Sequence, residues 1–330
     1  MLALAVSESS QVAEARREAV ALASNLGFNE TEAGKIAIVV TEAATNLVKH
    51  ATGGQVLLRA LERDGISGME MLALDKGPGI ANLGECLRDG HSTAGSAGTG
   101  LGAIIRLAAL FNIHSRPGVG TAVLARFWSR PPKANSSSRL EIGAVCLPQP
   151  GEQICGDGWE ISQSADRYSI MIADGLGHGP LAGEAAREAI RVFQQNSERS
   201  PAEIIEAAHA ALRSTRGAAV ALAEVDLVKR VIQFAGVGNI AGVVLSVGKN
   251  QNLVSLNGTV GHEVRQIREF TYPWPEEALL ILHSDGLATH RSLERYPGLA
   301  LKHPSLIAGM LYRDHNRGRD DVAVVVAKQH

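Results

Sequence analysis

The sequence predicts an α+β protein of two domains, each built from packed layers of helices and mostly antiparallel sheet. Three observations predict it. Helical spacings and strand-like runs come in blocks rather than in strict alternation. The stretch Arg130–Arg139, RPPKANSSSR, holds two prolines and three serines and too little apolar surface to fold, so it divides the chain. The two halves also carry different patterns, with no internal repeat. The limits drawn are 1–129 for the first domain, 130–139 for a linker and 140–330 for the second, a comfortable size for two domains in 330 residues.

In the first half, Val12, Ala15, Ala19, Leu22 and Leu26 step by three or four residues, and Gly27 suits a helix C-terminus. A second helix is predicted from about Thr31 to His50, with Ile36, Val39, Ala43 and Leu47 as its apolar stripe. The runs QVLLRALE and MEMLALD read as strands. A Gly-rich segment then leads into a third helix, LGAIIRLAALF, followed by strands near 112–115 and 121–127. Helices on one face of the sheet are expected.

In the second half, strands are predicted at 140–147, 153–162 and 168–174, then helices near 181–195 and 201–214. Further strands are predicted at 218–226, 231–235, 241–247 and 279–284, a helix near 305–314, and a last strand at 321–327. Many strands with helices in blocks suggest two packed sheets with helices outside.

Bulk properties exclude several classes. The net charge of −2 gives no basic field for nucleic acid or an anionic membrane. Three scattered cysteines, Cys86, Cys146 and Cys155, suggest neither a disulfide framework nor a zinc site, which fits a reducing cytoplasm. The opening residues lack the pattern of a signal peptide, and no run of eighteen apolar residues is present.

Three pieces of the first half carry chemistry. Glu42 and Asn46 are four apart on the second helix, so both project from one face, away from the apolar stripe. Such a pair can hold hydrated Mg²⁺ and orient a nucleophile, although alone it is most often a solvated face. Asp75, Gly77 and Gly79 in DKGPG end a strand, as a plain turn does, or as a pocket for an adenine amino group does. Gly98, Gly100 and Gly102 in GTGLG precede a helix, where backbone N–H groups can cradle phosphates, and HSTAGSA before them suits a lid or a simple loop. In order and spacing, TEAATNLVKH, DKGPGI and GTGLG resemble the N, G1 and G2 boxes of the GHKL ATPases, and Thr121 in GVGTAV matches the Thr after the last box. The short length, with no dimerisation helices, is more similar to the anti-sigma-factor serine kinases, especially those of the RsbT type. The resemblance implies a Bergerat α/β sandwich that binds ATP and Mg²⁺. It implies Glu42 as activator of the acceptor hydroxyl, Asn46 as Mg²⁺ ligand and Asp75 as adenine reader.

In the second half, Asp157 lies in CGDGW, Asp174-Gly175 closes YSIMIA, Asp285-Gly286 closes LLILHS, and Asp320-Asp321 opens DVAVVVA. Carboxylates at the ends of apolar strands are costly if buried alone, and several converging make an all-oxygen site for Mg²⁺ or Mn²⁺. Any one of them alone is an ordinary turn residue. CGDGW, ADGLGHG, AGVGNI, NGTVGH, HSDG and RDDVAVVV resemble the SpoIIE and RsbX branch of the type 2C metal-dependent phosphatases. That resemblance implies an α-β-β-α sandwich with two metal ions. It implies that Asp174 bridges them, the Gly175 carbonyl joins one, Asp285 and Asp320 complete the second, and Asp157 stands near the first. Glu160 replaces a second Asp that the family often has. His178 reads first as a loop-stabilising residue and second as a proton donor to a leaving serine alkoxide; His283 reads as structural.

Together these imply a bacterial partner-switching protein. The front domain would phosphorylate Ser or Thr on small STAS-domain antagonist proteins, and the rear domain would remove phosphate. Alternatively, the front domain senses ATP, or captures a partner, without transferring phosphate.

Overall fold

The computed structural model describes residues 1–51, 53–87, 100–132, 138–164, 166–288 and 293–329. They form two compact units: Met1–Ser137 with Leu301–Arg313, and Ser138–Ala300 with Asp314–His330.

The first unit begins with β1 (Leu2–Val6), α1 (Ser9–Asn25) and α2 (Glu30–His50). Asn29 caps α2 by accepting from the Glu32 N–H, and Ile36, Val39, Ala43 and Leu47 are buried, the predicted stripe. α1 turns Ala15, Ala19 and Ala23 inward. β2 (Gly54–Arg63) and β3 (Ile66–Asp75) form a hairpin, followed by α3 (Leu83–Cys86), α4 (Gly100–Leu107), β4 (Leu110–Arg116) and β5 (Gly120–Trp128). The sheet order is β1-β2-β3-β5-β4, antiparallel throughout. Met69, Met71 and Ala73 point into the core shared with α1 and α2. The third helix is shorter than predicted. Its apolar run continues past Leu107, but Leu110 and Phe111 already belong to β4 and pair with Arg126 and Ala125.

The second unit contains β6 (Leu140–Leu147), β7 (Asp157–Ser164), β8 (Arg167–Gly175), α5 (Pro180–Gln195), α6 (Pro201–Ala211), β9 (Ala218–Asp226) and β10 (Val231–Val237). β11 (Ala241–Ser246), β12 (Lys249–Leu253), β13 (Glu269–Pro273), β14 (Leu279–His283) and β15 (Val322–Gln329) follow; α7 (Pro304–His315) comes between β14 and β15 in the chain, outside this unit up to Arg313. Two five-stranded antiparallel sheets result, β13-β10-β9-β8-β7 and β12-β11-β14-β15-β6. Ile170, Ile172, Ala221, Phe234, Leu282 and Val325 lie in the core between them. The opposite face of the first of these sheets buries Met171, Ala173, Val220 and Leu222 together with Phe193 of α5 and Ile204 and Ile205 of α6.

α7 was expected among the layers of the second half. It is a helix, but its residues up to Arg313 cluster with the first unit. This corrects the expectation that helices cover only one face of that sheet. A side chain at Gly309 would meet Leu72 and Leu74, both at 3.2 Å, so α7 lies close on the face of β3 opposite α1 and α2. The same face carries Glu70, 1% exposed, which bonds Arg59 and Arg126, each at 2.7 Å. Arg126 in turn donates to the Ser305 hydroxyl of α7. Burial raises the Glu70 carboxyl, but the two guanidinium groups and Ser305 outweigh it and hold the carboxyl at about 2.

Candidate active sites

In the first unit a cavity of about 470 Å³ opens between α2, α4 and the ends of β3 and β5. Glu42, Asn46, Asp75, Gly79, Gly100 and Thr121 line it. The i, i+4 spacing on α2 places Glu42 and Asn46 side by side. A Cβ on Gly100 would lie 3.8 Å from Glu42 Oε2 and 3.9 Å from the Asn46 amide, so the start of α4 faces both. Asp75 Oδ1 accepts from the Gly77 N–H at 2.8 Å and the Thr121 N–H at 3.1 Å. Burial pushes the Asp75 carboxyl up, and those two N–H groups, Arg313 and His50 moderate the shift. Gly102 is buried in α4. Gly98 and the segment HSTAGSA lie outside the described residues.

Two members of this site were not singled out from the sequence. The Ser115 hydroxyl shares a hydrogen bond with Thr121 Oγ1 at 2.9 Å and accepts from the Ile80 N–H at 2.8 Å. It ties β4 to the loop after Asp75. Arg313 donates to the Asp75 carbonyl oxygen.

In the second unit the hairpin β7–β8 places Asp157 opposite Asp174 in register. Asp157 is buried, and its Oδ2 accepts from the Ser284 hydroxyl at 2.6 Å. Asp285 Oδ2 accepts from Asn239 Nδ2 at 2.7 Å. Asp320 Oδ1 accepts from the Asp321 N–H at 3.0 Å. Asp321 Oδ1 accepts from the Gln149 N–H at 2.9 Å, while its Oδ2 is buried and makes no well-formed hydrogen bond. Burial, then Asp285, Asp320 and Asp321, push the Asp174 carboxyl up to about 7. Burial and the charge of Asp174 raise Asp157 as well. The four predicted aspartates, with Asp321 added, therefore act on one another electrostatically.

Close chain approach explains the glycines beside two of these carboxylates. A Cβ on Gly175 would come within 2.0 Å of the Ala182 carbonyl oxygen, and one on Gly286 within 1.9 Å of the Asp321 carbonyl oxygen. The Gly175 N–H donates to the Gly156 carbonyl at 3.0 Å.

Among the described residues, no three His, Cys, Asp or Glu side chains are gathered as they stand into a group able to hold a metal ion. The donor set nevertheless fits a hard divalent cation. It is all oxygen, its central carboxyl is pushed to about 7 by burial and then by its neighbours, and one buried carboxylate oxygen lacks a good donor. Glu160 is turned elsewhere: three residues from Asp157 along the strand, it accepts from Gln194 of α5 at 2.6 Å. His178 Nδ1 bonds Glu152 at 2.8 Å, the loop-stabilising contact expected first. His283 is buried against the Ser284 carbonyl, and burial lowers its pKa.

Comparison with protein families matches residues 164–330 to Stage II sporulation protein E (SpoIIE) and residues 5–127 to the histidine kinase-like ATPase domain. Serine/threonine-protein kinase RsbT of Bacillus subtilis (strain 168) is 34% identical over 109 residues, which cover 33% of this chain and 82% of that protein. Phosphoserine phosphatase RsbX of the same organism is 25% identical over 142 residues, 43% of this chain and 71% of that protein. A crystal structure of RsbX in complex with magnesium shares the fold, with a TM-score of 0.52 at 20% identity over 60% of this chain and 99% of that one. The chain belongs to the SpoIIE family of metal-dependent serine/threonine phosphatases, and it carries a histidine kinase-like ATPase domain similar to RsbT in front of the phosphatase domain.

Proposed function

We propose that this is a partner-switching protein whose second unit removes phosphate from Ser or Thr of a STAS-domain antagonist and whose first unit adds it from MgATP. Along the sequence the domain limits proposed are 1–129 and 140–330, joined by 130–139, with 301–313 serving the first unit. One observation carries the phosphatase reading: the in-register pair Asp157 and Asp174, with Asp285 and Asp320 in electrostatic reach of Asp174.

Asp174, the Gly175 carbonyl, Asp157, Asp285 and Asp320 would hold two Mn²⁺ or Mg²⁺ ions. Bound there, the ions supply an activated water and neutralise phosphate charge. The chain's own part is positional. Ser284 fixes the Asp157 carboxylate, Asn239 fixes Asp285, and the tight Gly175 and Gly286 backbones hold the strand ends together. Asp174→Asn is expected to lower Mn²⁺-dependent hydrolysis of p-nitrophenyl phosphate by more than about 100-fold. Full activity in that variant, or in excess chelator, refutes the assignment.

In the first unit, Asp75 would accept from the adenine amino group, and Asn46 would hold Mg²⁺ among the phosphates at the start of α4. Glu42, beside Asn46 in the cavity, would take the proton of the acceptor hydroxyl as phosphate is transferred. The test is labelled ATP, a STAS-domain protein, and an Asp285→Ala background that blocks removal. Label on the partner supports a kinase. ATP binding without transfer makes the unit a sensor, and nucleotide-dependent complex formation alone makes it a capture module.

A further inference from the structure

Beside the Asp157 backbone lies a pair of thiols that the proposed reaction does not use. Cys146, in β6, and Cys155, two residues before Asp157, are both free and half-buried, with their sulfurs 3.7 Å apart. The Cys146 thiol also points at the Asp157 carbonyl oxygen, 3.5 Å away. Cys155 adjoins Gly156, whose carbonyl receives the Gly175 N–H. Both thiols therefore meet the Asp157 backbone, and Cys155 is linked through Gly156 to the strand that carries Gly175.

We propose that Cys146 and Cys155 form a peroxide-sensitive disulfide site that weakens divalent-metal binding by the second unit. The proposal rests on the metal site described above. One cysteine attacks hydrogen peroxide as its thiolate, the O–O bond breaks, the departing hydroxide takes up the thiol's proton as water, and a sulfenic acid remains. The second thiol attacks that sulfur, the S–O bond breaks, and a second water leaves. Two thiols and one peroxide thus give one disulfide and two waters. Closing the sulfurs from 3.7 Å to a bond of about 2.05 Å draws β6 and the 155–157 segment together. It also removes the S–H donor beside the Asp157 carbonyl. Both changes fall on backbone that aims proposed metal ligands, where such supports are worth about tenfold or more in metal affinity.

The experiment uses the full chain, reduced or treated with hydrogen peroxide. Intact mass is expected to fall by about 2 Da, the two hydrogens lost in the step above, with Cys146 and Cys155 cross-linked and Cys86 still free. Calorimetry should show about tenfold weaker Mn²⁺ binding after oxidation, reversed by dithiothreitol. Cys146→Ser and, separately, Cys146→Ala should prevent both the mass change and the loss of affinity. Separate oxygen adducts without a cross-link overturn the proposal, as does a cross-link that leaves Mn²⁺ affinity unchanged. If the reduced protein itself binds no Mn²⁺, the metal site fails, and the cross-link, read by mass, stands or falls separately.

Discussion

The aspartates of the second unit were legible only together: any one of them passes for a turn residue, but four at the ends of apolar strands do not. What supports them was not. Ser284, Asn239 and Asp321 look like ordinary polar residues of turns, and only register and folding bring them to Asp157, Asp285 and Gln149. Burial and crowding together have a consequence for pH. The Asp174 carboxyl sits at about 7 in the folded protein, well above the ordinary carboxylate value of about 3.9. The folded state therefore binds more protons than the unfolded one across this window, and metal-free stability falls as pH rises from about 4 to about 7. Urea unfolding in chelator should show a lower midpoint at pH 8 than at pH 5, with a smaller drop in Asp174→Asn. Equal drops in both proteins contradict the assigned crowding. In the first unit, Asp75→Asn should weaken ATP binding about tenfold or more, the value of a hydrogen bond to a charged group. Calorimetry reads this, and unchanged affinity would mean that Asp75 does not contact the nucleotide.

Among the elements, long helices and apolar strands matched the sequence within a few residues. The unpredicted strands are short and lie at sheet edges: β1 (LALAV), β12 (KNQNL) and β13 (EFTYP). An edge strand buries one face at most and pairs on one side only, so it has weak periodicity. β3 shows the opposite case. MEMLALD is buried on both faces, and the sequence carried that signal without naming what covers the second one. The covered face holds Glu70 between Arg59 and Arg126. Glu70→Gln leaves two partly buried guanidinium groups without their carboxylate and should cost about 3 kcal/mol in chemical unfolding. The folded carboxyl lies near 2, below its ordinary value, so the pair's contribution is complete above about 4.5 and fades as pH falls toward 2. A loss under about 1 kcal/mol would place this pair among weak surface contacts.

At the scale of the whole molecule, the two family resemblances could be read from motif order, whereas the membership of α7 could not. No local pattern says which sheet a buried helix will cover. Because Leu301–Arg313 belongs to the first unit, a fragment ending at residue 129 lacks the helix beside Leu72, Leu74 and Ser305's partner Arg126. Such a fragment should bind a hydrophobic dye and unfold at lower urea than one to which residues 301–313 are linked. Equal stability would mean that α7 adds nothing to this unit.

The same discontinuity sets a schedule for biosynthesis. The ribosome completes β5 at Trp128 but delivers Arg313 only after another 185 residues (313 − 128). At about 5–20 residues per second, the nascent sheet waits roughly 10–40 s with one apolar face bare. Trigger-type chaperones that shield emerging chains therefore have a defined window and a defined target: the Leu72–Leu74 side of β3, until its late helix arrives.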